Sequence, residues 1–479
     1  MPKYGTPGVY IEEKNAFPNS IVEAATAIPV FVGYTEFALD NSGSIINTPL
    51  RINSMADFVK HFGLAPKASF KFKPTDNSGF SLSRIDNYNF YNAVRFFFSN
   101  GGGPCYIISV GNYSEDITKQ RLSAGISAAS KADEATMLII PEAVNLKKAD
   151  DCYVIQQQML KHCSELQNRI AILDIYDGYK KRSNDENDIV TVFRERIGSN
   201  SLSYGASYYP WVNTTIVSNS EVDFSNITEG LEDFRKILIA ENPKLKTETD
   251  KIVKDVSHDE LLAVDKLFKS QSKLYNDIMA EIRRQLNILP PSSAMGGVYT
   301  MMDNTRGVWK APANVTLSNV TNSVVTISDS DQEDLNVPLN GMAVNALRNF
   351  PGEGTLVWGA RTLDGNSQDW RYVNVRRTVI MIEESIKNIA KVFVFEQNDQ
   401  NTWSALKSMI NNFLLSLWKR GSLVGSSPDD SFSVRVGLIE TMTNEDILNG
   451  ILRISVLVAP VRPAEFVQIS IVQQLQKAN

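Results

Sequence analysis

Between Cys105 and Ile175 the chain alternates continuous apolar runs with amphipathic ones, and this pattern constrains its fold more than any other feature. Cys105 to Val110 reads as a strand, Thr118 to Ser130 as a helix and Thr136 to Ile140 as a strand closed by Pro141. Ala149 to Leu166 then reads as a helix, and Arg169 to Ile175 as a strand closed by Asp177-Gly178. A strand that is apolar on both faces has to be covered on both faces, and helices between such strands supply the cover. The spacing predicts a middle α/β unit built on a mixed or parallel sheet.

With 479 residues the chain is long for one domain, and the expectation is two to four compact units. Hydrophobic residues make up 43% and charged residues 21%, ordinary usage for a globular protein with a packed core. The net charge of -6 argues against a surface that tracks phosphates, so nucleic acid is not an expected partner. No apolar stretch reaches the roughly 18–20 residues that span a bilayer, and Met1 to Glu13 lacks the basic-then-apolar order of a signal peptide, so the expected site of synthesis and assembly is the cytoplasm, without membrane insertion. Cys105, Cys152 and Cys163 have no C-x-x-C spacing and read as small core residues in a reducing compartment.

Either side of the middle unit the organisation changes. Residues 1–35 read as an extended arm with first strands, because Pro7-Gly8 precedes Val9 to Glu13 and a second run, Ala27 to Tyr34, contains Pro29 and Gly33. Residues 36–350 form the middle or outer α/β domain, interrupted by a polar, charged segment from Val222 to Lys254 that reads as a solvated surface insertion. A capping box at Ser257 to Glu260 opens a long amphipathic helix through Leu286, and Val315 to Leu335 looks β-rich. Residues 351–479 form a C-terminal α+β unit. It contains a helix from Thr378 to Ala390, a strand from Lys391 to Glu396 and a helix from Thr402 to Arg420, with Gly421 at the C′ position. Further strands follow at Phe432 to Ile439, Ile451 to Ala459 and Glu465 to Ile471, with a short helix near Asn444 to Asn449.

The residues that carry common chemistries are missing or wrongly spaced. His61, His162 and His258 form no metal pair, and neither a nucleophile-elbow nor a phosphate-loop motif is present, so no catalytic, cofactor or metal site is expected. Gly101-Gly102-Gly103-Pro104 precedes a strand instead of opening a helix and reads as a turn. Asp329 to Glu333 starts like a calcium loop, but Asp334 and Asn340 stand where glycine and glutamate are required, so it reads as a surface turn. The aromatic run around Arg95 reads as buried helix and not as a base-stacking platform. Asp174 and Asp177, at a strand's carboxyl end, are the one enzyme-like feature, and they define the alternative reading of an α/β enzyme. A strand near each terminus is the remaining unusual feature. Such a strand pairs either within its own subunit or with a neighbour's sheet, and backbone chemistry permits both.

Separated motifs lie in the order found in one family. Tyr4 to Glu13 (YGTPGVYIEE) and Thr26 to Glu36 (TAIPVFVGYTE) resemble the start of contractile tail sheath proteins. Gly296 to Tyr299 with Asp303 to Asn314 (DNTRGVWKAPAN), then Arg371 to Thr378 (RYVNVRRT), Phe393 to Asn398, Thr402-Trp403 and Ala459 to Phe466 (APVRPAEF), are similar to that family's internal and C-terminal segments. The resemblance implies a structural, non-enzymatic subunit of a phage tail or phage-like injection particle, stacking in six-membered rings around an inner tube and contracting to drive it through an envelope. It implies partners that are other copies of the chain, the tube protein, baseplate and cap proteins, and possible sheath paralogues. The final location that it implies is a phage tail or an extracellular or cell-anchored particle. The resemblance also implies that terminal strands of neighbouring subunits complete the sheet of each C-terminal domain, a role that would fall on Val9, Tyr10, Ile11 and Glu12 and, from residue 464 onward, on Phe466, Val467, Gln468, Ile469 and Ile471. Gly5, Pro7, Gly8, Pro460 and Pro463 are hinge candidates or simple loop punctuation. Lys407, Lys419 and Arg420 are candidates for meeting an acidic tube, although Lys419 and Arg420 also suit a helix C-terminus.

Overall fold

Seven consecutive buried residues, Pro29–Thr35, form a strand that only a sheet interior can accept. The computed structural model describes residues 23–75, 79–183, 185–253, 257–466 and 468. It places this strand inside an eight-stranded sheet. Across the sheet the order is Gly354–Trp358, Asn345–Phe350, Gly205–Tyr209, Ile170–Asp174, Met137–Ile139, Pro29–Thr35, Cys105–Asn112 and Leu50–Ile52. The inner strand pairs are parallel. The two outermost pairs are antiparallel. The helices Phe90–Ser99, Lys119–Ala129, Ala149–Leu166 and Ser292–Arg306 pack on the sheet, as the alternation requires. All three cysteines are buried and free.

The chain divides into two compact units, one of residues 1–24 and 378–461 and one of residues 25–377 and 462–479. Of the segment expected as an arm with first strands, residues 23–35 are described. Pro29–Thr35 belongs to the larger unit's core because its apolar residues are buried on both faces. The chain also returns to the larger unit after Val461, a connection that no local pattern reveals.

Four further expectations are corrected within the larger unit. The charged segment from Val222 to Lys254 is not merely solvated surface. Val222, Phe224, Ile227, Phe234, Leu238, Leu245 and Ile252 enter a second hydrophobic core together with Phe70, Phe72, Val264, Phe268, Tyr275, Ile278 and Ile282. The intervening charges face water from the helix Leu231–Glu241, so the helical period hides its apolar face in a polar sequence. The long helix is two helices, His258–Gln271 and Lys273–Leu286, broken at Ser272, whose hydroxyl accepts from Tyr275 N at 3.0 Å and restarts the helix. The segment from Val315 to Leu335 holds one short strand, Val320–Ser323. The calcium-like run is the helix Asp329–Asn336, opened by a capping box of Ser328 and Asp331, because Ser and Asp satisfy free amides at a helix start as readily as they form turns.

The smaller unit carries the rest of the helix Val373–Lys391, the helix Gln400–Lys419 and the antiparallel strands Phe432–Arg435 and Ser455–Val458. The strand expected from Lys391 to Glu396 is instead a helix end and a series of turns, with Val394 59% and Phe395 103% exposed. Alternating apolar residues there find no strand partner within the described residues. Both sheet strands are shorter than expected. Beyond Arg435 the backbone turns, with Ile439 at φ +72°, and the second strand begins only at Ser455. Gly421 ends its helix at φ +81°, as a C′ glycine does.

Candidate assembly interface

The sheet of the smaller unit has two strands, and neither outer edge has a further strand beside it among the described residues. A two-stranded ribbon is marginal alone, and its edges present unpaired backbone donors and acceptors. Along Ser455–Val458 the residues alternate between exposed and half-buried, with Leu457 61% exposed. The helix Gln400–Lys419 backs this sheet and buries Trp403, Leu406, Ile410, Phe413, Leu414 and Leu417, the face that the sequence spacing marked.

The arm candidates Val9, Tyr10, Ile11 and Glu12 and the hinge candidates Gly5, Pro7 and Gly8 lie outside the described residues, as do Val467, Ile469 and Ile471. Phe466 and Gln468 are described and exposed, and Glu465 and Phe466 belong to no strand. Pro460 sits in an antiparallel bridge to Leu423, between the bonds Val424 N to Ala459 O at 2.7 Å and Val461 N to Ser422 O at 3.1 Å. Pro463 lies beyond the last of these bonds. Lys407 pairs with Glu440 at 3.0 Å and Arg420 with Glu23 at 2.6 Å, while Lys419 is exposed. The three candidate tube contacts therefore differ, because two already face a carboxylate of their own chain.

Glu465 is the residue here that sequence reasoning missed. Its carboxylate accepts from Arg361 Nε at 2.9 Å and Nη2 at 2.6 Å, from Asn336 Nδ2 at 2.8 Å and from the Tyr372 hydroxyl at 3.0 Å. Arg361 is 3% exposed and also donates to Asn336 O at 3.0 Å. Burial raises the Glu465 pKa, but the bonds from Arg361 and Asn336 outweigh it and hold the carboxyl below its ordinary value. The partners lie more than 90 residues away in sequence, so only their charge and polarity could have hinted at them.

The internal motifs meet in the larger unit. Gly296 to Tyr299 belongs to the buried helix Ser292–Arg306, and a Cβ on Gly297 would stand 2.5 Å from Phe97 O, so glycine there lets two helices touch. Asp303 binds Arg377 through two bonds of 2.8 and 2.6 Å, and the Arg376 guanidinium lies over the rings of Tyr204 and Trp370, 3.7 and 4.1 Å from their centroids.

The enzyme-like carboxylates do not form a pair at work. Asp174 is buried, accepts from Ser292 N at 2.8 Å and Ser292 Oγ at 2.5 Å, and so caps the helix that follows. Asp177 turns out at φ +55° and pairs with Lys180 at 2.6 Å. Glu142 repeats the device by accepting from Asn89 N and Phe90 N at the start of another helix. Burial pushes Asp174 and Glu142 up to about 7, against the lowering effect of the bonds they accept. The folded state therefore holds protons that the unfolded chain has lost. The stabilisation from these groups is complete below their unfolded values and fades as pH rises from about 4 to about 7. Asp174→Asn is expected to cost about 0.5–1.5 kcal/mol at pH 5 and less at pH 8. Urea midpoints at the two pH values check this, and an equal loss at both would contradict it.

No helix among the described residues is long and apolar enough to cross a membrane, and no His, Cys, Asp and Glu cluster among them could hold a metal ion.

This architecture, a helix-covered sheet with a C-terminal α+β unit, is that of contractile sheath proteins. Residues 366–474 match the model of the phage tail sheath C-terminal domain. Among solved structures, a chain of the sixfold-symmetrised anti-feeding prophage baseplate is 26% identical with a TM-score of 0.63, covering 98% of this chain and 100% of its own. A chain of an extracellular contractile injection system, the PVC sheath complex in its contracted state, is 27% identical with a TM-score of 0.63 and coverage of 99% on both sides. The curated tail sheath protein of Burkholderia phage BcepMu is 30% identical over 141 residues, 28% of this chain and 29% of that protein. That of Vibrio phage KVP40 is 24% identical over 163 residues, 33% of this chain and 23% of its own. The matches to these curated relatives thus span less than a third of their length. The resemblance to contractile tail sheath proteins drawn from the motifs holds.

Proposed function

We propose that the chain is the sheath subunit of a contractile tail or phage-like injection apparatus and acts by assembly, not catalysis. Copies stack as six-membered rings around an inner tube, meet baseplate and cap proteins at the ends, and shorten to drive the tube forward. The observation that carries this is the two-stranded sheet, with no further strand at either edge among the described residues, inside the segment matching the phage tail sheath C-terminal domain. Terminal strands from neighbouring copies, Val9 to Glu12 and Phe466 to Ile471, complete it by backbone pairing, with alternate side chains seated on its faces. Such pairing survives rotation of the domains when the links bend, and Gly5, Pro7, Gly8 and Pro463 supply the bends. Lys419, which points to solvent at a helix end, is the strongest of the tube-contact candidates.

Negative-stain electron microscopy of the chain expressed alone and with the tube protein, beside a version lacking Met1 to Glu13, tests the reading. The full chain is expected to form long striated tubes, and the truncated one is not. Monodisperse particles from the full chain even with the tube protein present would refute it.

A further inference from the structure

The Glu465 cluster lies at the root of the proposed C-terminal arm. Among the described residues Val461 is the last one bonded into the smaller unit, through Ser422 O, and Arg462, Pro463 and Ala464 separate it from Glu465. Glu465 is then gripped by three side chains of the larger unit, and the next residue, Phe466, is 74% exposed. A bidentate guanidinium–carboxylate pair fixes direction as well as distance, and the Tyr372 hydroxyl and Asn336 amide occupy further lone pairs of the same carboxylate. Asn336 ends the helix Asp329–Asn336, whose Asp334 is in turn held by Arg182 at 2.6 Å and Arg194 at 2.9 Å. The grip therefore rests on elements that are themselves tied down.

We infer that Glu465, clamped by Arg361, Tyr372 and Asn336, anchors the root of the C-terminal arm to its own subunit and so sets the register in which the arm pairs with a second copy of this chain. The inference rests on the arm reading proposed above. In a strand, successive side chains face opposite sides, so a shift of one residue past the anchor turns every apolar residue of the arm to the wrong face. A shift before the anchor is taken up in the three-residue link and changes nothing beyond it. Glu465 is thus a positioning residue, and pairing itself is done by the residues that follow.

One glycine is inserted after Glu465, or after Arg462, in the full chain, and the yield of tubes is counted by electron microscopy beside the melting temperature of the unassembled protein. The insertion after Glu465 is expected to cut tube yield at least tenfold with an unchanged melting temperature, and the insertion after Arg462 to leave yield within twofold. Two glycines after Glu465, which restore the faces, are expected to recover part of the loss. Glu465→Ala is expected to abolish the difference between the two insertion sites. Equal behaviour of the two single insertions in the wild-type background, whether both assemble or both fail, overturns the anchor. A chain lacking residues 466–479 separates the two ideas. If it assembles normally, the arm reading fails and the anchor falls with it, whereas if it does not assemble while the insertions behave alike, only the anchor fails.

Discussion

Asp303→Ala is expected to destabilise the larger unit by about 3–5 kcal/mol, because it strands a buried guanidinium. The Asp303 and Arg377 side chains are 2% and 4% exposed, and their two bonds of 2.8 and 2.6 Å leave water little access. With Asp303 gone, Arg377 keeps, among the described residues, a bond to Thr26 O at 2.8 Å and the face of Tyr299 at 4.8 Å, which do not balance a charge. Burial pushes the Asp303 carboxyl up in spite of Arg377, so the pair sits in the regime where desolvation rivals attraction. The double change Asp303→Ala with Arg377→Met is accordingly expected to recover most of the loss, since no charge is then left behind. Urea titrations of the unassembled chain decide the matter. A loss under about 1 kcal/mol for the single variant would mean that water reaches the site.

Phe268→Ala is expected to cost a similar amount, about 3–5 kcal/mol, but in a different place. Phe268 is fully buried, lies 5.4 Å from the Tyr275 ring and sits among residues of the second core. Tyr275 bonds to Asp265 at 2.6 Å and receives Phe224 N at 3.1 Å, so a cavity beside it also loosens a buried polar link. Hydrogen exchange should show faster exchange across residues 222–286 while the strands Pro29–Thr35 and Ile170–Asp174 keep their protection. Equal loss of protection in both regions would show that the second core does not open by itself.

These two sites also show how far local pattern carries. The helices Lys119–Ala129, Ala149–Leu166 and Gln400–Lys419 were legible within a residue or two, because their apolar spacing and their end signals agree. The strands around them were legible because four or five consecutive apolar residues between helices have few other homes. Where the apolar face was narrow and the surface highly charged, as in Leu231–Glu241, the same helical period was masked by composition. Where Ser and Asp cluster, as at Ser328 to Asp331, turn and helix cap share one chemistry, and only the residues that follow decide between them.

The sequence by itself determined the class of the middle unit, the faces of its main helices and, through its spaced motifs, the family that the chain resembles. Only the tertiary structure decided which motif residues serve one another. Asp303 meets Arg377 across 74 residues, Asp174 caps a helix 118 residues away, and Glu465 closes on Arg361 across 104 residues. Periodicity reports what a residue does within its own turn or strand, over a few ångströms of chain. A charge or hydroxyl buried far along the chain is placed by the packing of whole elements, and the fold alone supplies its partner.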